Sequence, residues 1–252
     1  MGKRAAGQIY VEIPIAADMD RLWQLSQDTG LHPRWDLRFT AIRPTRSEAD
    51  GTQRFSYEFR LPFHTITGTG TSLGTRTGTD GHATSVLKFT TADALSPIGP
   101  GSGYWRYQPY DGGVRFSTGY TYQPGWGLLG TVLDARLIRP ALGWATALSF
   151  DRLRLWAEQD LDPATARNAW LVDAATRTAG MGAAAALLTA AARNRSVTTV
   201  LAALPAAVAL LAAVLRAPAG PRVPRAGRCL RSPTDRRNSQ APSHLATLPE
   251  PA

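Results

Sequence analysis

"QIYVEIPIAADMDRLWQLSQDTGLHPRWD", residues 8–36, carries the reading of the fold. Its first part, "QIYVEIPI" (8–15), alternates and is rich in β-branched residues, which predicts a strand. Asp18 then supplies an N-cap, Met19, Leu22, Trp23 and Ser26 fall on one helical face, and Gly30 provides a stop. "LHPRW" is too short for an independent helix, yet Pro33 suits a first turn, so a second, one-turn helix is expected before the chain extends at Asp36. His32 and Asp36 then straddle a helix-to-strand junction. The stretch reads as a structural corner, with Trp35 plugging the end of the core, rather than as a reactive pair.

From residue 36 to 123 the pattern changes to period-2 segments: "DLRFTAIR", "TQRFSYEFRL", "FHTITGTGTSLGTR", "HATSVLKFTT", "SGYWRYQPY" and "GVRFSTGYTYQP". Turn signals part them at Asp50-Gly51, Asp80-Gly81, Pro97 to Gly103 and Asp111-Gly112-Gly113. With the first strand they make an antiparallel sheet of about seven strands. Residues 128–158 supply a long covering helix, bent at Pro140. Around its axis Leu137, Ala141, Leu142, Ala145, Leu148, Leu155 and Trp156 form an apolar stripe, while Arg136, Ala147, Asp151 and Arg154 lie opposite.

This order of elements resembles the START-like (SRPBCC) superfamily, in the group of polyketide cyclase/dehydrase and lipid-transport proteins. "IYVEIPIAADMDRLWQLSQD", "HPRWD", "GSGYWRYQP" and "ALGWATALSFDRLRLW" carry the resemblance, which covers roughly residues 7–158. It implies an α+β helix-grip fold and a cavity between sheet and helix for an apolar or amphipathic small molecule. Phe55, Tyr57, Phe59, Tyr104, Phe116, Tyr120 and Tyr122 recur at strand spacing as candidate walls, set against the plainer reading that they only pack a core. Arg106 belongs to the same run as Tyr104. Arg152 falls in the apolar stripe beside Leu148 and Ser149, where an unpaired guanidinium is too costly. Glu58, Tyr104, Tyr120, a ligand carboxylate or an acceptor elsewhere in the protein are its candidate partners.

The catalytic inventory is thin. None of His32, His64, His82 and His244 stands in a metal-binding or triad-like spacing, and only His64, opening a strand, is a candidate base. No metal and no cofactor is expected. "GTGTSLGTRTGTDG" lacks the Gly-Lys-Ser/Thr and the following helix of a phosphate loop. The reading is therefore non-covalent binding or transport of a lipid, polyketide or similar molecule. Its alternatives are a cyclase/aromatase-like enzyme using the same cavity, and an interaction module with a filled core.

Charge divides the chain. Of the formal +9, residues 1–167 carry 18 basic against 16 acidic side chains and residues 168–252 carry 10 against 3. The basicity thus belongs to the C-terminal part, and nucleic acid is not an expected partner. The single Cys229 excludes an intramolecular disulfide and suits a reducing setting. "AAGQIYVEIPIAADMD" after Lys3-Arg4 offers no secretory signal, so the first domain is expected in the cytoplasm. "VTTVLAALPAAVALLAAVL" (197–215) is an uncharged run about long enough to span a bilayer, preceded by the shorter "TAGMGAAAALLTAAA" (178–192). Seven arginines, at 216, 222, 225, 228, 231, 236 and 237, follow and favour the cytoplasmic side or an anionic membrane surface. Expected boundaries are a ligand-binding domain over 1–160, an apolar helical hairpin as candidate membrane anchor over 161–216, and a disordered basic tail over 217–252. A peripheral or single-span arrangement and a purely soluble extension stay open for the region 178–237.

Overall fold

The computed structural model describes residues 7–76, 81–194 and 196–251; Lys3, Arg4, Asp80 and Arg195 lie outside them. The chain divides into two compact units, one running to Pro163 and resuming at Arg225, the other Ala164–Pro224.

In the first unit β1 (Ile9–Ile15) leads into α1 (Met19–Gln27) and the one-turn α2 (His32–Trp35). Asp18 Oδ1 accepts from Arg21 N at 2.7 Å, the expected cap. Six strands follow: β2 (Ala41–Ser47), β3 (Gln53–Arg60), β4 (Thr65–Arg76), β5 (Ala83–Thr90), β6 (Ile98–Tyr110) and β7 (Gly113–Pro124). All pair antiparallel in the order β1-β7-β6-β5-β4-β3-β2. This is the seven-stranded α+β helix-grip architecture that the START-like resemblance implies.

The long helix differs in detail. It comprises α3 (Gly127–Leu133), a π turn over Asp134–Ile138 and α4 (Arg139–Gln159). Pro140 lies in a helix that runs unbroken from Gly127 to Gln159, and the irregularity falls at the π turn immediately ahead of it. Leu137 is exposed and α4 is buried nearly all round, Ala147 and Asp151 included. The stripe expected from periodicity fails because both sides of α4 are covered: one by the sheet, the other by the returning chain.

That returning chain corrects the expected disorder of 217–252. From Arg225 it runs along α4 and the outer face of the sheet. Arg225 N donates to Asp151 Oδ2 at 2.6 Å, Arg228 Nη1 to the same oxygen at 2.7 Å, and Cys229 Sγ to Ala147 O at 3.2 Å. Leu230 exchanges two backbone hydrogen bonds with Glu12 and so covers the free edge of β1. Further on, Tyr104 Oη donates to Asn238 O at 2.5 Å, Arg106 donates to the carbonyls of Arg237 and Gln240, and Leu248 packs on Val86 and Tyr104. Few apolar residues are needed, because backbone carbonyls meet donors already fixed on the sheet.

In the second unit α5 (Pro163–Arg193) begins at the boundary and pairs with α6 (Val197–Arg216). Arg177 donates to the carbonyls of Val214 and Ala217, which ties the two helices together.

Candidate functional site

The inner face of the sheet is set by register. Phe55 pairs with Gly70, Tyr57 with Gly68 and Gly101 with Phe89. A Cβ on Gly70 would meet Phe55 Cζ at 2.3 Å, and one on Gly68 would meet Tyr57 Cζ at 2.3 Å. The threonine–glycine strand therefore alternates glycine so that aromatic rings lie flat across it, which answers what those glycines are for. Between these rings and the helices lies a cavity of about 490 Å³. Phe55, Tyr57, Phe59, Leu87, Phe89 and Trp105 give it apolar walls, with Leu142 and Ala145 of α4 opposite.

Its polar pole comes from the corner after α1. His32 Nε2 lies 3.0 Å from Asp36 Oδ2, and Arg38 grips the same carboxylate through Nε (2.9 Å to Oδ1) and Nη2 (2.7 Å to Oδ2). His32 and Arg38 both line the cavity. The His32 ring stacks on Trp35 with centroids 4.8 Å apart and packs against Phe39 and Trp105. Arg38 also sits over the Tyr120 ring at 5.3 Å, and Tyr120 Oη is 2.9 Å from Thr146 Oγ1.

Charge states follow from this packing. Burial lowers the His32 pKa, and the hydrogen bond and charge of Asp36 only partly counter it, so the imidazole is neutral near pH 7. Burial alone would raise Asp36, but the Arg38 charge and the hydrogen bonds from His32 and Arg38 override it and hold the carboxyl far below the usual range. Arg38 stays protonated: burial opposes its charge, and Asp36 outweighs that. The pole thus sums to zero charge, and Arg38 Nη1 is the guanidinium nitrogen that Asp36 does not use.

A second polar group lies at the α1 side. Ser26 Oγ is 2.7 Å from Tyr107 Oη, Gln27 Nε2 donates to the same hydroxyl at 2.8 Å, and Ser85 Oγ donates to Gln27 Oε1 at 3.2 Å.

Of the expected site residues, Phe55, Tyr57, Phe59 and Tyr120 line the cavity. The others do not. Tyr104 and Arg106 point to the outer face, since Trp105 pairs with inward Thr118 and the strand alternates; they serve the returning chain instead. Phe116 is buried and stacks on Phe150 at 4.6 Å, a core contact. Tyr122 bonds Asp134, Leu148 is buried in the core, and Ser149 receives Leu37 N at 2.9 Å. His64, between β3 and β4, pairs at 2.7 Å with Asp93, between β5 and β6. Arg152 donates to the carbonyls of Trp35, Arg34 and Pro163 at 2.9, 2.8 and 3.1 Å. Among the described residues no group of three or more His, Cys, Asp or Glu side chains is placed to hold a metal.

His32, Asp36, Arg38, Phe39 and Trp105 are the residues that sequence reading missed. The signal was present in "HPRWDLRF": a histidine, an aspartate and an arginine within seven residues, interleaved with the aromatics Trp35 and Phe39.

A scan against known protein families finds no match. The chain is 45% identical over 157 residues to the uncharacterized membrane protein YndG of Bacillus subtilis (strain 168), a match covering 62% of this chain and 59% of that protein. The chain thus spans about three fifths of the length of the relative it matches. Among solved structures, human StAR-related lipid transfer protein 5 is 14% identical with a TM-score of 0.46, over 62% of this chain and 85% of that one. The di-domain aromatase/cyclase StfQ of the steffimycin biosynthetic pathway is 16% identical with a TM-score of 0.48, over 61% and 50%. TTHA0849 of Thermus thermophilus is 15% identical with a TM-score of 0.45, over 60% and 98%. At such identity no ligand or activity passes from them to this chain.

Proposed function

We propose that this chain binds a small molecule with an apolar body and one uncharged polar end, non-covalently, in the cavity between the sheet and α4, and that it does so next to a membrane. The observation that carries the reading is the cavity itself. At about 490 Å³ it lies within the ~300–1,000 Å³ range of ligand sites, and it combines wide apolar walls with a few convergent polar groups. A filled core, the interaction-module alternative, leaves no such space.

The character of the polar end follows from charge. Arg38 is already neutralised by bidentate Asp36, and His32 is uncharged, so a ligand carboxylate gains no net Coulomb attraction there while losing its own hydration. A hydroxyl or carbonyl group can accept from Arg38 Nη1 at much smaller desolvation cost. The naming of a relative as a membrane protein, together with α6, supports placement near a membrane.

One observation favours a second reading, an enzyme that folds or dehydrates a polyketide-like chain. A buried carboxylate orients a neutral imidazole on the wall of a cavity, an arrangement suited to proton abstraction. Native mass spectrometry of the protein extracted in mild detergent separates the two. The binding reading expects an unmodified apolar molecule that co-purifies and exchanges with added excess; absence of any bound molecule after challenge with lipids and polyketides contradicts it, and conversion of the added molecule supports the enzyme.

A further inference from the structure

Asp151 and Arg152, consecutive residues in the later part of α4, hold the two places where the chain leaves the sheet domain and comes back to it. Arg152 Nη2 donates to the carbonyl of Pro163, the last residue before departure, at 3.1 Å. Asp151 Oδ2 receives the backbone N–H of Arg225, the first residue after the return, at 2.6 Å. Consecutive Cα atoms lie about 3.8 Å apart. Departure and return are therefore held within the reach of one arginine and one aspartate side chain, well short of the ~30 Å hydrocarbon layer of a bilayer. Whatever the segment 164–224 meets, both its ends stay on one side of it.

Within that segment α6 has the length and composition to cross a membrane: 20 residues whose most apolar window has a mean hydropathy of 2.3. A single crossing by α6 would put Pro163 and Arg225 on opposite sides, which the α4 clamp forbids. The packing of the helical pair points the same way. Ala184 and Ala191 of α5 and Ala203 and Ala207 of α6 are buried, and a Cβ on Gly180 would meet Val214 Cγ2 at 2.5 Å. Val197, Leu201, Leu204, Val208 and Leu215 face outward. A hairpin in water buries its large apolar side chains; one in lipid brings small residues together and turns the large ones to the acyl chains. Arg177, paired with Asp173 at 2.8 Å, donates to the carbonyls of Val214 at 2.5 Å and Ala217 at 2.9 Å. Two carbonyls at the C-terminal end of α6 thereby gain a donor, and charged groups gather at that end of the pair.

We propose that α5 and α6 cross a lipid bilayer together as a hairpin, so that the sheet domain is tied to one face of the membrane by both ends of an inserted anchor. The stretch of α5 between Arg177 and Arg193 rises about 24 Å, somewhat less than the layer it crosses; the long stems of the two arginines and local thinning of the bilayer make up the difference.

The test uses the full chain in right-side-out and inverted membrane vesicles, with a membrane-impermeant maleimide as probe. Asn194→Cys marks the link between the helices, and Asn168→Cys and Ser232→Cys mark the two ends; buried Cys229 in the unsubstituted chain serves as the blank. The hairpin predicts that Asn194→Cys is labelled in one vesicle orientation, and that Asn168→Cys and Ser232→Cys are both labelled in the other. Three outcomes overturn it: the two end positions labelled from opposite sides, all three labelled from the same side, or release of the protein from the membrane by an alkaline carbonate wash.

Discussion

His32 and Asp36, four residues apart, meet at 3.0 Å on the wall of the cavity, and Arg38 closes on the same carboxylate from the other side. Asp36 is the keystone of this cluster, because its fully buried carboxylate meets both His32 and the part-buried guanidinium of Arg38. Asp36→Asn keeps the shape and removes the charge. Breaking a buried pair of this kind costs about 3–5 kcal/mol, so urea denaturation should show a loss of about 3 kcal/mol or more; a change under about 1 kcal/mol contradicts the pairing.

The same cluster sets an acid-lability profile. His32 is held below its free value of about 6.5, so in the window between its folded pKa and about 6.5 the unfolded chain binds more protons than the folded one. Its contribution is fully present above about pH 6.5 and declines as pH falls through that window. Asp36 is held far below its free value of about 3.9, so its contribution is present above that value and is lost as pH falls further toward the folded pKa. Denaturation midpoints measured from pH 8 to pH 3 should fall in two stages, and His32→Gln should shrink the first, to which His244, also held below its free value by burial and the Arg106 charge, contributes the remainder. A midpoint that is flat between pH 8 and pH 4.5 contradicts the assignment.

Gly70 and Phe55 test the wall. Gly70→Ala drives a methyl group into the Phe55 ring and pushes it toward the cavity. Overpacking of this kind costs about 1–3 kcal/mol, and binding of an apolar guest should weaken along with it. Tyr104→Phe removes one hydrogen bond on the opposite face and should cost about 0.5–1.5 kcal/mol with guest affinity unchanged. Equal effects of the two variants on affinity contradict the facing assigned here.

Cys229 reports on the returning chain. Burial raises its thiol pKa to about 12, with the nearby Asp151 charge adding to the shift and the surrounding arginines opposing it. Few thiolates exist at neutral pH, so maleimide labelling of the native protein should be slow. Asp151→Asn removes the charge and leaves one acceptor oxygen for the three donors Arg154 Nε, Arg225 N and Arg228 Nη1, and labelling should accelerate at least about tenfold, a local opening of about 1.4 kcal/mol or more. An unchanged rate means that Asp151 does not hold the segment.

The strand alternation and the cap at Asp18 made the fold legible from sequence, because both are local patterns with a fixed period. The facing of single strands was less secure. Tyr104 was assigned inward with Phe116 and Tyr120, yet Gly103 pairs with Tyr120, which turns Tyr104 outward and brings Trp105 in. Strand register depends on long-range pairing, and a shift of one residue exchanges the two faces. Periodicity reports the burial of Arg152 and not its partners, and the backbone carbonyls it meets are displayed by no sequence pattern. The returning chain was hidden for a similar reason: its anchors are main-chain hydrogen bonds, while its composition reads as disordered. His32 and Asp36 were recognised as a corner, and the structure adds that the corner is also the polar end of the cavity.

The central claim, an apolar-ligand cavity between the sheet and α4, is tested most directly by titrating the purified full chain in mild detergent with the uncharged dye N-phenyl-1-naphthylamine. The unsubstituted protein should give one saturable site. Leu87→Trp, which fills the cavity, should weaken binding at least about tenfold, equivalent to about 1.4 kcal/mol, and Tyr104→Phe on the outer face should leave it unchanged. Binding that never saturates, or that Leu87→Trp leaves intact, contradicts the account.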